Sequence, residues 1–178
     1  MAREDEELLD IVDAHDRVIG TGKRADIHAR GLMHRSVHVF LVDTQGRIYL
    51  QKRARTKQEY PGTWDSSAAG HLAAGEGYDS AAARELAEEL GVEAPLQAIV
   101  KLPASQQTGF EHTVLYVADY RAARSAPTPN PEEIEEGRFF SEREIETLLA
   151  DRPEEATPSL RLLLGEYRRH ASPDREKR

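Results

Sequence analysis

Residues 70–92 read GHLAAGEGYDSAAARELAEELGV, and this stretch governs the reading of the whole chain. Tyr78 to Leu90 is rich in alanine, leucine and glutamate, and Gly91 stands where a helix end favours a residue that can turn left-handed. The pattern therefore predicts a helix over 78–90. Glu85, Glu88 and Glu89 fall at i, i+3 and i+4, within an arc of roughly 100°. Ala82, Ala83, Leu86 and Leu90 lie on the neighbouring arc and are expected to face a core. Three carboxylates so placed repel one another by a few tenths of a kcal/mol per pair. A divalent cation reverses that sign, and an oxygen-only ligand set suits magnesium or manganese. Arg84 is positioned to pair with a carboxylate such as Glu88 one turn on. A solvated acidic face is the commoner meaning of such a run when it stands alone, so the weight falls on the spacing of the wider stretch.

Outward from this segment the chain alternates strands and helices. Glu7–Asp13 reads as a short strand, followed by a turn and a second strand in HDRVIGTG. Val37–Asp43 and Arg47–Lys52 are strands joined by Thr44-Gln45-Gly46, a hairpin signal. Tyr60-Pro61-Gly62-Thr63 and SAPTPNP (125–131) are loops. Ala98–Leu102 and Thr113–Tyr120 are further strands. Ser141–Leu149 is a helix with Ser141 and Glu144 forming a capping box, and Pro158–His170 is the last helix. The mixture predicts a mixed sheet packed between helices in one domain over 1–170, with 171–178 a frayed tail.

Composition narrows the function classes. With 178 residues, one sizeable core is expected. The formal net charge of −8 disfavours nucleic acid as a bulk partner, although a small phosphate compound remains compatible with a local basic patch or a metal. There is no cysteine, which excludes disulfides, thiolate metal sites and a cysteine nucleophile. The acidic N-terminus and the lack of a long apolar run point to a cytoplasmic protein with no membrane partner. Leu160, Leu162, Leu163 and Leu164 leave open whether the last helix packs internally or at a homodimer interface.

Residues 70–92 match Gly-x5-Glu-x7-Arg-Glu-aliphatic-x-Glu-Glu-x-Gly-aliphatic at every fixed position, and so resemble the Nudix signature. A motif of this length is far more specific than a lone glycine-rich loop. The resemblance implies an α/β/α sandwich with a central mixed sheet, in which a loop-helix-loop carries the signature. It implies a magnesium-dependent hydrolase of a diphosphate linkage in a nucleoside diphosphate or its derivative. Manganese is the expected substitute metal. Glu85, Glu88 and Glu89 become metal ligands, joined by the Gly70 carbonyl and with Glu76 supporting the loop or the metal shell. Arg84 orients Glu88. Either Glu88 or Glu89 is the base that accepts a proton from the attacking water.

A second resemblance lies outside that box. The run GLMHRSVHVFLVDTQGRIYLQKRARTKQEYPGTWDSSAAGH is similar to the isopentenyl-diphosphate isomerase branch of the same superfamily. It implies that Arg53 and Lys57 hold a substrate diphosphate. It also implies a second metal site at His34, His71 and Glu111, with His28 one residue out of register, where three imidazoles and a carboxylate suit zinc or another transition metal. Two positions depart from the isomerase pattern: Ala69 stands where the isomerases carry their acid cysteine, and Thr113 where they carry a second glutamate. Neither side chain can move the required proton, so hydrolysis is the expected activity, with isomerase chemistry or a non-catalytic diphosphate-binding module as alternatives. Trp64 is expected in packing, while Tyr60 and Phe110 are open to contact with the rest of the substrate.

Overall fold

The computed structural model describes residues 6–171. Strands β1 (Leu8–Val12) and β2 (Val18–Lys23) form an antiparallel hairpin, and helix α1 (Arg24–Arg30) follows directly. The central sheet contains β3 (His34–Val42), β4 (Ile48–Arg53), β5 (Trp64–Asp65), β6 (Ala68–His71), β7 (Leu96–Leu102), β8 (Glu111–Asp119) and β9 (Ile134–Phe140). Helices α2 (Tyr78–Leu90), α3 (Glu142–Asp151) and α4 (Pro158–Ala171) complete the chain. Strand order is β5-β4-β3-β8-β7, with β6 paired to β3 and β9 to β4. The β3–β8 pair is parallel and the other pairs are antiparallel, so the sheet is mixed as expected.

Alternation along β3 assigns the two cores. Val37, Val39 and Leu41 pack with Ala82, Leu86 and Leu90 of α2 on one face. Phe40 packs on the other face with Ile145 and Leu148 of α3 and Leu160, Leu163 and Leu164 of α4. Two helical layers thus enclose the sheet, because successive side chains of a strand point to opposite faces. Three of the four leucines of α4, Leu160, Leu163 and Leu164, are buried in this core, and Leu162 is partly exposed. Trp64 is buried, edge-on to Phe140 with ring centroids 4.8 Å apart, so its role is packing.

Several elements differ from the sequence reading. The Thr44-Gln45-Gly46 turn forms, with Asp43 Oδ1 accepting from the N–H groups of Gln45 and Arg47 at 2.9 Å each. The strands it joins share register only at Val42 and Ile48 and then diverge. Ser67 closes the gap: its hydroxyl donates to the Tyr49 carbonyl (2.5 Å) and accepts from the Leu41 N–H (2.7 Å). β6 takes the place beside β3, while β5 and β9 flank β4. Strand β9 and helix α1 stand where no element was assigned. IEEGRFF alternates poorly and becomes a strand through its pairing with β4, an example of context outweighing local propensity.

Helix α2 has the expected limits, and Gly91 caps it at φ +63°. Its rotation is different. Ala83 is exposed and Ala81 is buried, because Ala81, Glu85 and Glu89 form one i, i+4 row that the fold covers. Part of the acidic stripe is therefore interior. The tail beginning at 171 lies, from 172 on, outside the described residues. No helix among the described residues is long and apolar enough to cross a membrane.

Candidate active site

The acidic row of α2 meets strand β6, and glycine makes this approach feasible. A Cβ built on Gly70 would lie 2.0 Å from Glu85 Oε1, so any side chain there would expel the carboxylate. Glu89 reaches further beneath the sheet, where its Oε2 accepts from Gln51 Nε2 (2.5 Å) and the Ala69 N–H (3.4 Å). Glu88, about 100° round the helix from Glu89, is the exposed member of the set, with 59% of its side chain accessible.

Arg84 organises these carboxylates more extensively than its spacing from Glu88 suggested. Its guanidinium donates to Glu76 Oε1 and Oε2 (2.9 Å each), to Glu85 Oε1 (2.6 Å), to Glu88 Oε2 (3.2 Å) and to the His71 carbonyl (3.0 Å). Glu76 also accepts from the Ala73 N–H (2.9 Å), so both of its oxygens hold the loop to the helix. It is the strongest partner of Arg84, and the fork geometry of arginine suits this bidentate contact.

Burial sets the protonation of the inner pair. It pushes the Glu85 carboxyl up to about 7, with Arg84 opposing and the Glu88 and Glu7 charges adding to the rise. Glu89 is raised well above the ordinary carboxylate range, first by burial and then by the charge of Glu85. Burial also works on Glu76, but its bonds to Arg84 and Ala73 prevail and hold it low. Two neighbouring carboxylates that resist ionisation, in an oxygen-only setting, fit a divalent cation that would replace their protons.

A cavity of about 310 Å³ opens beside them. Glu85, Glu88, Glu89 and Gly70 line it, and so do Arg53, Lys57 and Arg24. Arg53 donates to Asp65 Oδ2 (3.4 Å) and Lys57 to Glu133 Oε2 (2.6 Å). Arg24, the first residue of α1, donates through Nε to His71 Nδ1 (3.3 Å). The sequence reading missed Arg24 because α1 itself was unassigned. Tyr60 borders the cavity, whereas Phe110 does not and instead approaches Gly31.

Four side chains able to ligate a metal converge beside Arg24, two of them, His71 and Glu111, lining the same cavity. His28 comes from α1, His34 from the start of β3, His71 from the end of β6 and Glu111 from the start of β8, all within 4.8 Å of one another. The turn of α1 compensates for the one-residue offset of His28. Glu111 Oε1 lies 3.1 Å from His71 Nε2 and 3.4 Å from His34 Nε2. Burial opposes ionisation of Glu111, yet its two imidazole contacts hold it well below the ordinary range. Burial lowers His71. The Nε2 atom of His28 is buried without a hydrogen-bond partner, and that of His34 has only the long Glu111 contact, which falls outside hydrogen-bond geometry; a metal would relieve this costly state.

The loop-helix-loop geometry is now joined by direct similarity. The NUDIX domain model matches residues 32–163. The chain belongs to the Nudix family. Isopentenyl-diphosphate Delta-isomerase 2 of Photorhabdus laumondii is 44% identical over 94 residues, which cover 53% of each chain. This Nudix protein thus spans about half the length of that relative. An uncharacterized Nudix hydrolase of Streptomyces coelicolor is 36% identical over 146 residues, covering 82% of this chain and 81% of its own. The crystal structure of DR0079 from Deinococcus radiodurans superposes with a TM-score of 0.79 at 28% identity, covering 92% of this chain and 99% of that one. Relatives named as hydrolases and as isomerases both occur, and the residues of the cleft have to separate the two activities.

Proposed function

We propose that this Nudix protein is a magnesium-dependent hydrolase that cleaves the diphosphate linkage of a nucleoside diphosphate or its derivative by attack of water at phosphorus. One observation carries the reading: the α2 carboxylates and the cations Arg24, Arg53 and Lys57 line the same cavity. Glu85, Glu88, Glu89 and the Gly70 carbonyl would hold magnesium, with manganese as a substitute. When bound, the cation neutralises phosphate oxygens and stabilises the charge that develops at the reacting centre.

The protein's own groups do the rest. Arg53, Lys57 and Arg24 bind and orient the diphosphate. In doing so they exchange their present carboxylate and imidazole contacts for phosphate oxygens. Arg84 fixes the rotamers of Glu85 and Glu88 from behind, and Glu76 anchors Arg84. Glu88 is assigned as the base that takes the proton from water, because it is the exposed member of the set, whereas Glu89 is engaged by Gln51 and Ala69. The imidazole cluster would hold a second metal beside the diphosphate, its nitrogen-rich set suiting zinc or another transition metal.

Two positions beside the cleft disfavour isomerisation. Ala69 offers only a methyl group, and the Thr113 hydroxyl is paired with Ser36 Oγ at 2.8 Å. Phosphate release from a panel of nucleoside diphosphates, sugar nucleotides and isoprenoid diphosphates tests the proposal. Turnover should require magnesium and fall at least about 100-fold in Glu88→Gln and Glu89→Gln. Absence of hydrolysis across the panel, or solvent label entering isopentenyl diphosphate, would overturn it. Tight ligand binding without turnover at any metal or pH would instead indicate a binding module.

A further inference from the structure

We propose that His38 reads a hydroxyl group on the non-phosphate half of the substrate, so that the cleft selects a hydroxylated, sugar-like diphosphate over a hydrocarbon one. The inference rests on the reading that a diphosphate occupies this cleft.

The strand registers place His38 there. In β3, His34, Ser36 and His38 share the face that also carries Phe40. Antiparallel pairing sets Ala69 opposite His38 and His71 opposite Ser36, while parallel pairing sets Thr113 beside Ser36. His38 therefore stands directly across from Ala69, on the floor of the cavity it lines. A methyl group at that position leaves room over the imidazole.

The tautomer of His38 follows from its neighbours. Nδ1 lies 2.7 Å from Ser66 Oγ, and Ser66 Oγ lies 3.3 Å from the Ala68 carbonyl. Ser66 has one hydroxyl proton. All three groups are satisfied when that proton goes to the carbonyl and the Nδ1–H donates to Ser66 Oγ. Ser66 is fully buried, and its N–H is held by Asp65 Oδ1 at 2.8 Å, so the support is rigid. In that tautomer the ring's other nitrogen, Nε2, is an acceptor. An acceptor on a nearly enclosed floor suits a ligand O–H, and a hydrocarbon in its place would leave that nitrogen unpaired. The rest of the lining agrees, since Ser36, Asp65, Thr157 and Ser159 are polar and, among the described residues, no aliphatic side chain larger than Ala69 borders the cavity.

A matched ligand pair tests this: ribose 5-diphosphate and n-pentyl diphosphate have the same number of carbons and differ in their oxygens. Binding is measured by calorimetry with Ca2+ in place of Mg2+. The wild type should bind the ribose compound at least about tenfold more tightly, and His38→Leu should reduce that preference to about twofold. Ser66→Ala should give an intermediate value. In 15N-imidazole spectra of the wild type, the His38 Nε2 resonance should move with the ribose ligand and stay in place with the pentyl ligand. That readout stands even if His38→Leu fails to fold. Equal wild-type affinity for the two ligands, or a static Nε2 resonance, overturns the role of His38 while leaving diphosphate hydrolysis intact. Failure of both ligands to bind overturns the functional reading together with this inference.

Discussion

Replacing Glu85 by glutamine should change how stability depends on pH, in a direction that ordinary surface carboxylates do not produce. Glu85 is raised in the folded protein from its ordinary 4.5 to about 7, chiefly by burial. A group raised on folding contributes stability that is fully present below its unfolded value and is lost as pH rises through the folded value. The window is therefore about pH 4.5 to 7. The shift corresponds to about 3 kcal/mol, of which roughly 2–3 kcal/mol falls between pH 5 and pH 8. In urea denaturation with EDTA, the wild type should lose about that much more stability over this interval than Glu85→Gln. Adding magnesium at pH 8 should restore the wild type, because the cation takes the ionised form, and should do little for the variant. Parallel pH profiles for the two proteins, or an equal response to magnesium, would refute the argument that burial of this carboxylate is offset by a metal.

Other changes report on separate parts of the account. Gly70→Ala should displace the Glu85 carboxylate, since the added Cβ would meet Oε1 at 2.0 Å, and magnesium-dependent turnover should fall about 100-fold. If the imidazole cluster binds a metal as proposed, Glu111→Gln should weaken its uptake, read as metal content after dialysis against zinc or manganese; retention of a full equivalent would argue against that site. Leu163→Ala, in the core between α3, α4 and the sheet, should cost about 2–4 kcal/mol in urea denaturation without altering magnesium affinity.

The parts legible in the sequence were those fixed by local spacing. Tyr78–Leu90 carried its own boundaries because Gly91 ends it, and the Ser141–Glu144 capping box marked the start of α3 in the same way. The carboxylates of α2 were legible as a set, but not which of them would be buried. That depends on helix rotation, and Ala81 replaced Ala83 at the core because Glu85 and Glu89 were drawn beneath β6. The gathering of His28, His34, His71 and Glu111 was reached only through resemblance, since they lie on four elements far apart in the chain. Arg24 stayed hidden because its helix was short and lacked a strong periodic signal. His38 gave no sign of a role, because an isolated histidine within VHVFLVD reads as one polar residue in a strand. Only the register opposite Ala69 and the contact with Ser66 brought it into the cleft.

In the proposed mechanism one turn of α2 presents Glu85, Glu88 and Glu89 together to a cation shared with a diphosphate. The most direct measurement is an anomalous difference map from crystals grown with manganese. A peak is expected at coordinating distance from these carboxylates and from the Gly70 carbonyl, on the side of the cavity facing Arg53 and Lys57. A map with no peak there, and with the glutamates still tied to Arg84 and Gln51, would contradict it.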